Sequence, residues 1–352
     1  MKSVLLYLIV YAVSSFFIAK SKFNGKNRID LYFILSIFIP VIFAAKRNNV
    51  GSDFPTYMLI YGHNSILTFQ KWFATNSFVS GIGFSVWLFA KIAGYFNSSE
   101  LFFGLFAFAV VIPVAYRLKT NYTYKICSLA YFVFLMTLYT SGLNICKQMA
   151  AIGILFCGIK YINERKFLKY VFVVVVSSLI HPTASIAIFA YFLYDNNGKL
   201  LTLKKMILII AGIVAVVMYQ KVLQIVGGKF ESYSTYKDET NNRLFFLNLA
   251  WCLIFCFWNR NYIKFDERNN TLITMLIIGL ILEFTGFSSP FVKRIAMYYS
   301  YPQFLLISQL PYTIVTRKSV PFAKIMIVVY TILLFIVQYL ILGQASIIPY
   351  SF

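Results

Sequence analysis

The sequence predicts an all-α polytopic membrane protein, with about twelve transmembrane helices in a single domain over residues 1–352. Three observations carry this expectation. The chain is 60% hydrophobic and 19% aromatic but only 12% charged, about half the charge of a soluble domain. Apolar runs of helix length recur from end to end. The 32 Lys and Arg gather in short clusters between those runs, as membrane-surface anchors do, so the net charge of +21 does not point to nucleic acid.

Ser3–Ala19 is the first apolar run, and its cations follow it in KSKFNGKNR. A signal peptide carries its positive charge in front, so this run reads as a retained helix with residues 20–30 in the cytoplasm. Leu31–Ala45 then returns outward. Later crossings are expected at 101–117, 126–141, 149–162, 167–180, 183–194, 205–222, 243–258, 271–287, 295–311 and 324–343. Segment 79–95 is different. It is broken by Gly81, Gly83 and Gly94 and carries Lys91, and counting it as a crossing puts several cationic loops on the wrong side. It is expected to lie in the outer interface without spanning. With that topology 20 of the 32 cations face the cytoplasm, and the larger outer loops are 46–100 and 223–243.

The five cysteines, Cys127, Cys146, Cys157, Cys252 and Cys256, lie in or beside apolar runs without metal-ligand company. They read as packing residues. No metal and no cofactor is expected, since the chain has no nucleotide-binding loop and no dinucleotide fingerprint.

Unusual polar residues collect on the expected outer side. KRNNVGSDFPTY supplies Lys46, Arg47, Asp53 and Tyr57; SGLNICKQMAA supplies Asn144, Lys147 and Gln148; HPTAS supplies His181, Thr183 and Ser185. GGKFESYSTYKDETNNR follows, and EFTGFSSPFVKRIAMYY adds Glu283, Lys293, Arg294 and Tyr298. Each has an ordinary alternative. His181 before a proline is more often a helix-end residue than a base, Thr183 and Ser185 read as caps, Lys147 and Lys293-Arg294 as anchors, and Glu283 as a packed carboxyl or the partner of a cation. Trp72 and Trp87 read as interfacial aromatics or as sugar-stacking faces. Taken together, several cations beside a carboxylate at membrane depth suit phosphate or pyrophosphate, hence a lipid-linked carrier.

These motifs resemble those of the EpsG-type, Wzy-like polysaccharide polymerases. Arg47, Val50, Gly51, Asp53 and Tyr57 match R-x-x-V-G-x-D-x-x-x-Y. Lys147 and Gln148 fall on R-Q-x-x-A, with Lys in place of Arg, which keeps the charge and loses the bidentate fork. His181, Thr183 and Ala184 match H-x-[ST]-A; GKFESY ends at Tyr233, and KRIAMYY holds Arg294 and Tyr298. The resemblance implies a bacterial plasma-membrane enzyme of capsule or exopolysaccharide synthesis with its site facing outside. It transfers the growing glycan from polyprenyl pyrophosphate to the next lipid-linked repeat. The plan also resembles the C-type glycosyltransferases. It implies Asp53 or His181 as the base, with Arg47, Lys147 and Arg294 on the pyrophosphate. Tyr57, Asn144, Gln148, Thr183, Tyr233 and Tyr298 are left for the sugars. Expected partners are the lipid-linked oligosaccharide, the bilayer, and a chain-length regulator and flippase of the same pathway. The competing readings are a flippase for the same lipid-linked oligosaccharide, and another outer-leaflet transferase, a ligase or an acyltransferase.

Overall fold

The computed structural model describes residues 2–22, 29–75, 83–122, 124–194, 243–262, 267–288, 290–312 and 317–352, with scattered positions in 202–218. Regular structure among the described residues is helical throughout. The chain divides into two compact units. The first takes Met1–Tyr161, Leu168–Ser185 and Ile307–Phe352, and the second takes Ile162–Phe167 and Ile186–Leu306.

The first unit opens with α1 (Lys2–Lys20) and α2 (Leu31–Ala45). On α1, Tyr7, Tyr11 and Ile18 are buried, while Leu5, Ile9 and Phe16 on other faces are more than half exposed. A helix apolar on all sides, with an apolar outer face, suits a bilayer and not water. Asp30 starts α2, its carboxylate accepting from the Phe33 amide at 2.8 Å and from the Lys22 amide at 2.5 Å. Burial pushes the Asp30 carboxyl up, but the two amides, the Ser21 hydroxyl and the charge of Lys119 together hold it below the usual carboxylate range.

Pro40 lies inside α2 and has no amide hydrogen, so the carbonyl four residues earlier, Ser36, loses its helical donor. Two neighbours replace it: the Ser14 hydroxyl at 2.5 Å and the Tyr131 hydroxyl at 2.7 Å. Three helices thus meet at one carbonyl. A second proline-linked contact sits a turn on, where the Tyr139 hydroxyl donates to the Pro40 carbonyl.

Three helices follow in the stretch expected as an outer loop: α3 (Phe54–Ile66), α4 (Phe69–Thr75) and α5 (Phe84–Tyr95). At 12 residues, α5 is about 18 Å long, well short of the roughly 30 Å apolar thickness of a bilayer. Lys91, which interrupts its apolar run, donates to the Ser65 carbonyl at 2.8 Å, and Trp87 Nε1 donates to Leu67 O at 3.0 Å. Both therefore satisfy orphan carbonyls at the end of α3. Trp72 and Trp87 pack on each other with ring centroids 5.8 Å apart.

Next come α6 (Ser99–Asn121) and α7 (Tyr124–Phe134), which runs on through a π-turn at Leu135–Tyr139 to Gly142. Then come α8 (Cys146–Asn163), α9 (Phe167–Ile180) and a 3₁₀ stretch, Pro182–Leu193. In the second unit, α10 (Arg243–Tyr262) packs on α11 (Glu267–Thr285) through Phe245, Cys252 and Leu280. Two short helices, α12 (Pro290–Ser300) and α13 (Gln303–Gln309), replace the single run expected over 295–311. Pro302 accounts for the break, because it cannot donate to a helix and disfavours helical geometry in the residue before it. The last helix, α14 (Val320–Phe335), ends in a π-turn at Ile336–Ile341.

Four stretches among the described residues are long and apolar enough to cross a bilayer: Lys2–Lys20, Ser99–Asn121, Lys125–Gly142 and Val320–Ile341. Six shorter apolar helices accompany them, including Leu31–Ala45 and Phe167–Ile180. The expected run at 205–222 is described only in part. The expected loop at 223–243, apart from Arg243, lies outside the described residues, and so does Tyr233.

Candidate active site

The site region begins where α2 ends. Lys46 caps it, its amide donating to Ile42 O at 2.9 Å, and its side chain meets Glu100 at 3.4 Å in the open. An exposed pair of this kind contributes little. Arg47 turns the other way and is 4% exposed. Its guanidinium donates from Nη1 to Ala44 O at 2.5 Å and from Nη2 to Cys146 Sγ at 3.2 Å. It lies 4.1 Å from the centroid of the Phe103 ring and 5.9 Å from that of Phe54. Nε has no hydrogen-bond partner among the described residues. The adjoining cavity, bounded also by Tyr139 and Gly142, is only about 10 Å³, room for one water. Arg47 is thus a strut between the end of α2 and the start of α8, enclosed by aromatic rings and carrying a buried charge.

The loop that follows needs two left-handed residues, Asn49 (φ 50°) and Gly51 (φ 100°). At Gly51 a Cβ would lie 2.8 Å from the Leu143 carbonyl, so the two backbones touch where only glycine fits. This approach brings Asn144 against the loop. Its Oδ1 accepts from the Asp53 amide at 2.7 Å and from the Ser52 hydroxyl at 3.2 Å. Asp53 occupies the N-cap position of α3, yet its carboxylate makes no capping bond to that helix. The carboxylate is half-buried at a positive helix end.

Tyr57, one turn into α3, is buried, and its hydroxyl accepts from the Lys147 amide at 3.1 Å. Its ring packs on Phe103 and Phe106. The N-termini of α3 and α8 are therefore bound to each other by Asn144 and Tyr57, with Lys147 half-buried and Gln148 buried in the first turn of α8. Sequence reasoning placed Lys147 and Gln148 in a turn. The helix starts earlier, which puts both in its first turn, with the Lys147 amide taken by the Tyr57 hydroxyl.

His181 belongs to a different junction. It ends α9, its amide donating to Ser177 O at 3.0 Å and its carbonyl accepting from the Ala184 amide at 2.9 Å. Gly83 passes so close that a Cβ there would sit 2.7 Å from Leu179 O. Thr183 follows, half-buried, in the 3₁₀ stretch. Arg294, half-buried, and Tyr298, fully buried, lie on α12 of the second unit. There the Glu283 carboxylate accepts from Asn248 Nδ2 at 3.0 Å, joining α10 to α11, and Lys293 lies 5.6 Å from the centroid of the Phe287 ring.

One contributor escaped the sequence reading altogether. After α14, residues 343–352 run back to the site loop. Ser346 O accepts from the Gly51 amide at 3.1 Å, Ala345 O from the Ser52 amide at 2.8 Å, and Ser351 O from the Asn48 amide at 2.9 Å. The stretch GQASIIPYSF carries turn residues after an apolar run, a signal for a turn but not for its destination.

Apolar outer faces, helices joined by buried hydroxyls, and polar helix ends gathered around one loop define a membrane-embedded protein with a candidate site at the end of α2. The model of the EpsG family matches residues 30–352, and the chain belongs to that family. Membership associates it with exopolysaccharide synthesis and with an enzymatic, polymerase or glycosyltransferase-like role. No curated protein and no solved structure matches the chain.

Proposed function

We infer that the protein polymerises lipid-linked oligosaccharide repeat units in capsule or exopolysaccharide synthesis, at the outer leaflet of a bacterial plasma membrane. The growing glycan leaves its polyprenyl pyrophosphate and joins the terminal sugar of the next lipid-linked repeat. In that step an acceptor hydroxyl attacks the anomeric carbon, the bond from that carbon to the pyrophosphate oxygen breaks, and the hydroxyl proton passes to a base. The observation that carries the reading is the joining of two helix N-termini around Asp53. The loop amide of Asp53 is fixed by Asn144, and its carboxylate is not used to cap α3.

The same arrangement supports the handling of charge. A departing pyrophosphate gains negative charge, and helix N-termini with a neighbouring cation favour it. Lys147 in the first turn of α8 is the first-unit cation suited to direct contact. Arg47, enclosed as it is, supplies a fixed positive charge and a rigid frame, and Arg294 of the second unit is the further cation in the proposal. Asp53 is the favoured base, and His181 orients the acceptor or shares the proton. Gln148, Thr183, Tyr233 and Tyr298 remain candidates for sugar contact. The buried hydroxyl of Tyr57 and the bonded amide oxygen of Asn144 suit positioning more than stacking.

The test uses purified protein and a polyprenyl-pyrophosphate-linked repeat unit. Wild type should give a ladder of polymer, and Asp53→Ala and Asp53→Asn should give none while reaching the membrane in normal amount. A wild-type ladder that persists in both variants removes Asp53 from the reaction. Unchanged repeats moved to the opposite leaflet of a vesicle mean a flippase instead.

A further inference from the structure

We propose that the segment 343–352 is a strap that sets the conformation of the Asn48–Asp53 loop, with Ala345 and Ser346 as positioning residues for Asp53. The inference rests on the polymerase reading for its consequence, but its physical basis is independent. The segment meets the loop through main-chain atoms. Carbonyls of Ala345, Ser346 and Ser351 take the amides of Ser52, Gly51 and Asn48, and the Ser351 hydroxyl returns a bond to Asn48 O. The amide next along, that of Asp53, is held from the other side by Asn144. The loop is clamped between two carriers.

The strap's own backbone is the second observation. Ala345 (φ 56°) and Ser346 (φ 49°) are both left-handed, following Gly343 (φ 61°). Left-handed geometry is sterically unfavourable for a non-glycine residue, and it persists only where the surroundings over-determine it. The two strained residues are the ones whose carbonyls bond the Gly51 and Ser52 amides. Further along, Tyr350 fixes the strap to the body of the unit. Its ring stacks on Phe43 at 4.2 Å and 10°, its hydroxyl donates to Phe43 O at 2.5 Å, and its amide donates to Ser3 Oγ at 3.1 Å. Strain is thus concentrated at the loop, while the anchor lies elsewhere.

Proline and glycine at position 345 separate the strap's geometry from its chemistry. Proline fixes φ near −65° and cannot adopt the observed conformation, whereas glycine adopts it freely. Full-length Ala345→Pro and Ala345→Gly proteins are compared with wild type by hydrogen exchange of a peptide spanning 48–53 and by polymerisation kinetics. In Ala345→Pro, exchange at Gly51 and Ser52 should rise by roughly tenfold or more, as the loss of one net hydrogen bond implies. Turnover should fall with little change in KM for the lipid-linked repeat, and Ala345→Gly should stay near wild type in both measurements. Unchanged exchange in Ala345→Pro overturns the clamp. Raised exchange with unchanged turnover overturns the positioning role. If wild type makes no polymer, the polymerase reading and the positioning role fall together, while the exchange comparison still decides whether the strap holds the loop.

Should the proline variant fail to fold, an Asn48→Cys, Ser351→Cys pair provides the second arm. Oxidation should join the two positions and leave turnover intact. A failure to join, or a loss of turnover on oxidation that a thiol reverses, overturns a strap that stays closed.

Discussion

Replacing Gly51 with alanine tests the loop at its tightest point. The new methyl carbon would sit 2.8 Å from Leu143 O and 3.3 Å from Asn144 Cα, both backbone atoms that no side-chain rotation can move away. At φ 100° the residue is also outside the conformations that L side chains ordinarily adopt. The loop must shift, and the bonds at risk are Gly51 N to Ser346 O, Ser52 N to Ala345 O and Asp53 N to Asn144 Oδ1. At about 1 kcal/mol net for each bond, with part of the backbone strain added, the expected loss is roughly 2–4 kcal/mol. Thermal unfolding of the detergent-purified protein measures it, and polymer yield measures its effect on the site. Gly62→Ala is the matched control. Gly62 lies within α3 with nothing within 4 Å of a Cβ, so alanine there should stabilise by about 0.5–1 kcal/mol. Equal stability of Gly51→Ala and wild type, together with wild-type polymer yield, refutes the close approach of the two backbones.

Two smaller changes probe the surroundings. Tyr57→Phe removes the acceptor of the Lys147 amide and keeps the ring among Phe103 and Phe106, so it should cost about 1–3 kcal/mol and lower turnover; a thermal transition unchanged from wild type would show that the amide finds another partner. Asp30→Ala should cost about 1 kcal/mol as a lost helix cap, while Asp30→Asn keeps most of that cap. Because the folded Asp30 carboxyl lies below its unfolded value, its contribution is fully present above the unfolded pKa and is lost as pH falls through the folded one. An acid titration of stability should therefore show a smaller decline in Asp30→Asn than in wild type, and identical declines would exclude the linkage.

Much of the helical plan was legible because a bilayer demands it. Apolar runs of sufficient length have few alternatives in lipid. The interior of the 46–100 stretch was less legible. Lys91 and the glycines around it broke the apolar pattern, but the partner that explains Lys91, the carbonyl of Ser65, lies in another helix. Long-range backbone pairing is invisible to periodicity, which is why residues 343–352 drew no reading from the sequence. The motif residues were legible as types and not as roles. Arg47 and Tyr57 stand in a polar cluster in the sequence, yet both side chains point into the protein.

That inward turn changes what the polar cluster means. A guanidinium buried in apolar surroundings is costly unless compensated, and among the described residues the contacts of Arg47 are a carbonyl, a thiol and two aromatic rings, with no ion pair to a carboxylate. Phe103 and Phe54 recover part of the cost through their ring faces. A hydrophobic side chain of similar size fills the same space without the charge, so packing alone does not account for an arginine here. Two consequences of the charge are physical. Its bonds hold the end of α2 to the start of α8, and its field acts through a low-dielectric interior on the nearby helix ends where Lys147 and Asp53 stand. Arg47→Lys separates these effects, since it keeps the charge and loses the planar fork that reaches Ala44 and Cys146 together. Arg47→Met loses both. If field alone matters, the lysine variant polymerises like wild type and the methionine variant does not; if the strut matters, both fail, with thermal stability lowered in each. Wild-type activity in Arg47→Met would leave the buried cation with no part in the site.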